Sequence, residues 1–85
     1  MTEREAIAGI AAVAREHLAY AGELEPSARL VEDLGLDSLR LLTLAAEVEN
    51  RFQIRLNPED EAAIATVGDL ARAIVAKAGE AAGAG

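Results

Sequence analysis

Leu34-Gly35-Leu36-Asp37-Ser38-Leu39-Arg40 runs without a break into Leu41-Leu42-Thr43-Leu44-Ala45-Ala46-Glu47-Val48-Glu49-Asn50-Arg51-Phe52, and the reading of the whole chain turns on this stretch. A glycine turn ends in Asp-Ser, and a strongly periodic helix begins at once, over about residues 38–52. Leu41, Leu44, Ala45, Val48 and Phe52 recur at the spacing of one buried helical face. The face around Leu39, Thr43, Ala46 and Asn50 lies opposite and is expected in solvent, with Arg40, Glu47 and Arg51 on its flank. A leucine exposed directly after a serine is apolar surface of the kind that marks docking sites. The junction also places the Ser38 hydroxyl at a helix N-terminus. Unpaired N–H groups and the positive end of the helix dipole favour an attached anion there, such as a phosphate ester.

Upstream, Thr2-Glu3-Arg4-Glu5 is a capping-box pattern, and Ile7, Ile10, Ala11, Ala14 and Leu18 follow it at helical spacing, widened by Val13 and Ala21. Helix one is expected over 3–20, ended by Gly22. Glu23 to Leu36 has no sustained period and reads as a long loop, pinned to the core by Leu24, Leu30, Val31 and Leu34. Pro26 to Leu30 is a candidate for a short helical turn within it. Downstream, Ile54 and Leu56 point inward, and Asn57-Pro58-Glu59-Asp60 is a helix start with N-cap, proline and first-turn acids. That third helix is short, ends before Thr66, and is expected to pack through Ala62, Ala63 and Ile64. Thr66-Val67-Gly68-Asp69 caps a fourth, whose buried stripe is Val67, Leu70, Ala71, Ile74 and Ala78, with Gly79 as its C-cap. The expectation is an all-α four-helix bundle of three longer helices and one short one, with a long loop between the first two. It forms a single domain over 1–79, followed by a disordered Ala/Gly tail over 80–85.

Composition agrees. Eighty-five residues suit one small domain, and the absence of cysteine excludes a disulfide staple, a thiolate zinc site and a cysteine nucleophile. The chain is 52% hydrophobic but only 2% aromatic, so the core is built from Ala, Leu, Ile and Val, residues that favour helices here over strands. Fifteen acidic against eight basic residues give a net charge of −7, which repels nucleic acid and anionic membranes and attracts basic protein patches. No apolar run reaches the length of a membrane span, and Glu3, Arg4 and Glu5 stand where a signal peptide would need an apolar core. The expectation is a cytoplasmic monomer.

Other groups carry less. His17 is the sole histidine, and one histidine makes neither a triad nor a metal site. Asp33, Gly35 and Asp37 hint at a calcium loop, but Ser38 and Leu44 occupy the positions that need Gly and Glu. Glu59, Asp60 and Glu61 read as helix-start acids, and no metal site is expected. Ser38 itself has a plain reading as an N-cap, unless Asp37 takes that role and frees the hydroxyl.

Val31-Glu32-Asp33-Leu34-Gly35-Leu36-Asp37-Ser38-Leu39 resembles the phosphopantetheine attachment site of acyl carrier proteins. Glu49-Asn50-Arg51-Phe52, the Ile54 and Leu56 pair, the Pro58 helix start and the Thr66 to Leu70 cap fall where those carriers have matching features, so the similarity covers roughly 5–78. The resemblance implies that Ser38 receives 4′-phosphopantetheine from a phosphopantetheinyl transferase using coenzyme A and Mg²⁺. The thiol of that arm then carries acyl cargo between acyl-transferring, ligase and synthase enzymes of a fatty-acid or polyketide type of pathway, and the carrier is not itself an enzyme. It further implies that Asp37 serves the transferase and Leu39 inserts into partners, with Arg40, Thr43, Ala46 and Glu47 completing the recognition face. Carriers of bacterial fatty-acid synthesis usually show acids along this helix. Arg40, Thr43 and Asn50 therefore point to specialised secondary metabolism. An aminoacyl or peptidyl carrier loaded by an adenylating ligase is the alternative. A small acidic interaction module without a prosthetic group is the reading from another class.

Overall fold

A computed structural model describes residues 1–84, with side chains described through Gly79. Four helices follow in order: α1 (Glu3–His17), α2 (Ser38–Phe52), the short α3 (Pro58–Ala63) and α4 (Val67–Ala84). α1 packs against both α2 and α4. Ala6, Ile10 and Val13 of α1 meet Leu44 and Val48 of α2 and Leu70, Ala71 and Ile74 of α4 in one core. Ile10, Val48, Val67 and Ile74 are fully buried, which removes their apolar surface from water and supplies the main driving force for folding. Among the described residues no helix is long and apolar enough to cross a membrane.

Each helix starts where its local signals place it. Thr2 Oγ1 accepts the Glu5 N–H at 3.2 Å while Glu5 accepts the Thr2 N–H at 2.9 Å. Asn57 and Asp60 form the same reciprocal box at 3.0 Å each way, and Thr66 and Asp69 do so at 3.0 and 3.1 Å. These bonds satisfy N–H groups that have no partner inside a helix. They also hold three carboxyls below their ordinary range. The Thr2 backbone N–H does so for Glu5, the Asn57 backbone N–H for Asp60, and the Ala65 and Thr66 backbone N–H groups for Asp69.

Helix ends follow the sequence less closely. α1 stops at His17, not near Tyr20, and Gly22 has no part in the stop. Leu18 turns in to pack on the core, Ala19 takes the left-handed conformation (φ 55), and the Leu18 and Tyr20 N–H groups both close on the Ala14 carbonyl at 3.0 Å. A leucine seeking the core thus ends the helix before any glycine is reached. α4 runs on to Ala84, past the stop expected at Gly79. The tail reading falls on side chains from Glu80 onward, and on Gly85 altogether, which lie outside the described residues.

Three packing expectations change. Val31 is 55% exposed and does not pin the loop, because the chain between Leu30 and Leu34 turns outward there. Ala62 and Ala63 are exposed, and Ile64 alone anchors the end of α3. The loop turns twice, once around Pro26 and Ser27, where the Ala28 N–H donates to the Glu25 carbonyl at 3.0 Å, and again at 29–34, so the expected turn is present but does not continue to Leu30 as helix. The Arg29 carbonyl accepts from Asp33 and Leu34, and the Asp33 carboxylate accepts the Arg29 N–H at 2.7 Å.

Candidate functional site

Ser38 is the first residue of α2, and the loop before it is held rigidly from two sides. Leu30 and Leu36 are 4% and 3% exposed, and the Leu36 N–H donates to the Leu30 carbonyl at 3.2 Å. The loop backbone is also stitched to the α3–α4 junction. Leu30 N–H donates to Ala65 O, Val67 N–H to Ala28 O and Gly68 N–H to Pro26 O, at 2.8 to 3.0 Å, around an antiparallel bridge of Arg29 and Thr66. Gly68 is required at that seam, since a Cβ there would stand 2.9 Å from the Pro26 carbonyl oxygen. Gly35 then reverses the chain at φ +71, a conformation that costs residues with a Cβ.

Asp37, not Ser38, is the N-cap. Its carboxylate accepts the Arg40 N–H at 2.9 Å. Among the described residues no hydrogen bond engages the Ser38 hydroxyl, and Ser38 is exposed. The plain reading of the serine as a cap is therefore displaced by its neighbour, and a free nucleophilic oxygen stands at the positive end of a fifteen-residue helix. That arrangement fits a phosphodiester attached at Ser38.

Ser38 also lines a cleft of about 360 Å³ between α2 and α3, with Leu41, Leu42, Ala45, Ile64 and Glu61 on its walls and Leu30, Leu44, Leu56 and Leu70 deeper in. Its size falls at the low end for ligand pockets, and its lining is apolar apart from Ser38 and Glu61. Such a cleft is not readable from the spacing of apolar residues, because it depends on how far α3 stands from α2. A larger, open groove of about 920 Å³ runs along Ala46, Asn50, Gln53, Arg55 and Lys77 and does not include Ser38.

The expected recognition residues separate into two groups. Leu39 is 72% exposed, and Arg40 and Ala46 are exposed beside it. Leu42, missed in the sequence reading, is 63% exposed and joins them. Its position one turn after Leu39 and off the buried stripe was the available signal. By contrast, the Thr43 hydroxyl donates back to the Leu39 carbonyl at 3.1 Å, and Glu47 is half-buried with Oε1 3.4 Å from His17 Nε2. His17 thus faces α2 from the end of α1. Glu49 accepts the Leu56 N–H at 2.7 Å and so fixes the connection after α2.

Comparison with known proteins agrees with this geometry. The family model described as a phosphopantetheine attachment site matches residues 6–74. The meromycolate extension acyl carrier protein of Mycobacterium leprae is 35% identical over 71 residues, covering 82% of this chain and 62% of the relative. That of Mycolicibacterium smegmatis is 34% identical over 70 residues, covering 81% and 71%. The chain therefore spans about three fifths to seven tenths of the length of these relatives. A solved structure described as an acyl carrier protein of Mycobacterium tuberculosis superposes with a TM-score of 0.69 at 32% identity, covering 87% of this chain and 95% of the other. The group that such a domain holds covalently is 4′-phosphopantetheine. With the four-helix order, the free serine at the start of α2 and these relatives in agreement, the chain belongs to the acyl carrier protein family.

Proposed function

We propose that Ser38 is the attachment point of the 4′-phosphopantetheine arm and that residues 1–79 act as one carrier domain for acyl intermediates. The observation that carries this reading is the pairing of Asp37 with the Arg40 N–H, which leaves the adjacent hydroxyl unbonded and exposed. In the attachment step Ser38 Oγ forms a bond to the phosphorus nearest pantetheine in coenzyme A. The pyrophosphate link breaks, adenosine 3′,5′-bisphosphate leaves, and the hydroxyl proton passes to the transferase. When bound, the arm supplies a thiol that holds cargo as a thioester. The chain's own residues do the rest. Asp37 fixes the helix start, Gly35 and Leu36 fix the loop, and the cleft beside Ser38 offers an apolar wall to cargo.

Leu39, Arg40 and Ala46, with Leu42, form the surface that partner enzymes meet, while the exposed Asp37 caps the helix beside Ser38 and the half-buried Thr43 and Glu47 lie behind. The pathway is a specialised one of fatty-acid or polyketide type. The relatives named for meromycolate extension, and the scarcity of acids on the first turns of α2, support that reading. The cytoplasm, as the source of coenzyme A, is the compartment in which loading takes place. Coexpression with a broad-specificity phosphopantetheinyl transferase is expected to add one phosphopantetheine to the intact mass, and Ser38→Ala to abolish the addition. A wild-type protein left unmodified by several such transferases refutes the assignment.

A further inference from the structure

Counting charges over the whole molecule suggests partners with basic surfaces, but the first turns of α2 carry a different pattern. Along α2 the carboxylates are engaged within the chain, Asp37 by the Arg40 N–H, Glu47 by His17 and Glu49 by the Leu56 N–H, whereas the Glu61 carboxylate across the cleft from Ser38 has no partner among the described residues. Arg40 and Arg51 likewise take part in no ion pair among the described residues. From Ser38 to Ala46 the only charged side chain is that of Arg40, set between the exposed Leu39 and Leu42.

Arg40 also sits where the helix least tolerates it. α1, α3 and α4 each carry an acid at the third helical position, Glu5, Asp60 and Asp69, and each closes a reciprocal capping box. α2 has Arg40 at that position and no acid in its first turn. A cation there opposes the helix dipole and forgoes the second hydrogen bond of the box. Among the described residues Arg40 makes no ion pair that would offset that local cost.

From these placements we infer that the first turns of α2 dock through one unpaired guanidinium set among apolar side chains, and that the transferase which esterifies Ser38 meets them with an apolar socket that places a carboxylate against Arg40. The inference rests on Ser38 being the attachment point. Charges at such a contact steer encounter and suppress partners of the wrong sign more than they add affinity. That carboxylate would complement Arg40, with Leu39 and Leu42 filling the socket, despite a net charge of −7 that disfavours approach of an acidic protein elsewhere on the surface.

The test is the rate of Ser38 modification by the source organism's own transferase, read as kcat/KM with coenzyme A, for wild type, Arg40→Lys, Arg40→Gln and Arg40→Glu. Arg40→Glu is expected to lose about tenfold or more, chiefly through KM, with Arg40→Gln between and Arg40→Lys near wild type; raising the salt should narrow the differences. The same Arg40→Glu protein is expected to melt at a higher temperature, because it completes the missing capping box, so a lower rate is not a folding defect. With a transferase whose carrier-facing rim is basic, Arg40→Glu should be faster than wild type. An Arg40→Glu rate equal to or above wild type with the organism's own transferase overturns the inference and leaves the attachment site standing. A wild type that gains no mass overturns the attachment site, and the inference with it.

Discussion

Exchanging Asp37 and Ser38 separately for alanine tests how the site is built, because the structure assigns them opposite roles. Asp37→Ala removes the acceptor of the Arg40 N–H, a 2.9 Å bond, and a negative charge beside the helix start. Loss of such a cap costs about 1 kcal/mol. In a domain of this size that lowers the melting temperature by roughly 4–8 °C. Ser38→Ala removes a hydroxyl with no partner and places a better helix former at the first helical position, so stability should stay within about 0.5 kcal/mol of wild type or rise slightly. Thermal and urea melts of the unmodified proteins, followed by circular dichroism, measure both. Intact mass after exposure to a transferase should show modification lost in Ser38→Ala and retained in Asp37→Ala. If Ser38→Ala proves the costlier change, or Asp37→Ala costs nothing, the serine is the cap and its hydroxyl is not held free for esterification.

Leu39→Ala, at a side chain 72% exposed, should leave melting within about 0.5 kcal/mol of wild type yet slow Ser38 modification; equal loss of both would place Leu39 in the core. Gly35→Ala meets open space but inherits φ +71, so it should cost about 1 kcal/mol in a urea melt. Stability should also fall in acid. Glu5, Asp60 and Asp69 have folded-state pKa values below their ordinary 4.5, 3.8 and 3.8, so the unfolded chain binds their protons first. Their contribution is complete above those ordinary values and is lost as pH falls through them to the lower folded values. Melts from pH 6 to pH 3 should show the decline beginning near pH 4.5. Asp69→Asn should flatten it, and an unchanged slope would remove Asp69 from the explanation.

Much of this molecule was legible in the sequence because the signals are local. A capping box spans four residues, so Thr2 with Glu5, Asn57 with Asp60, and Thr66 with Asp69 announced the starts of α1, α3 and α4 before any contact was known. The stripe from Leu41 to Phe52 likewise set the bounds of α2 and placed Ser38 at its tip. What only the tertiary structure decided involves partners far apart in the chain. α1 ends at His17 because Leu18 finds the core, and the loop takes its course because Ala28 and Leu30 pair with Val67 and Ala65 across more than thirty residues. Val31 and Leu42 are exposed and Glu47 is tied to His17 for the same reason: the faces of separate helices compete for one small interior. The cleft beside Ser38 exists only as a gap between α2 and α3, and a gap between elements has no residue pattern of its own. The hydroxyl was visible in the sequence; its freedom came from the fold, which gave the cap to Asp37.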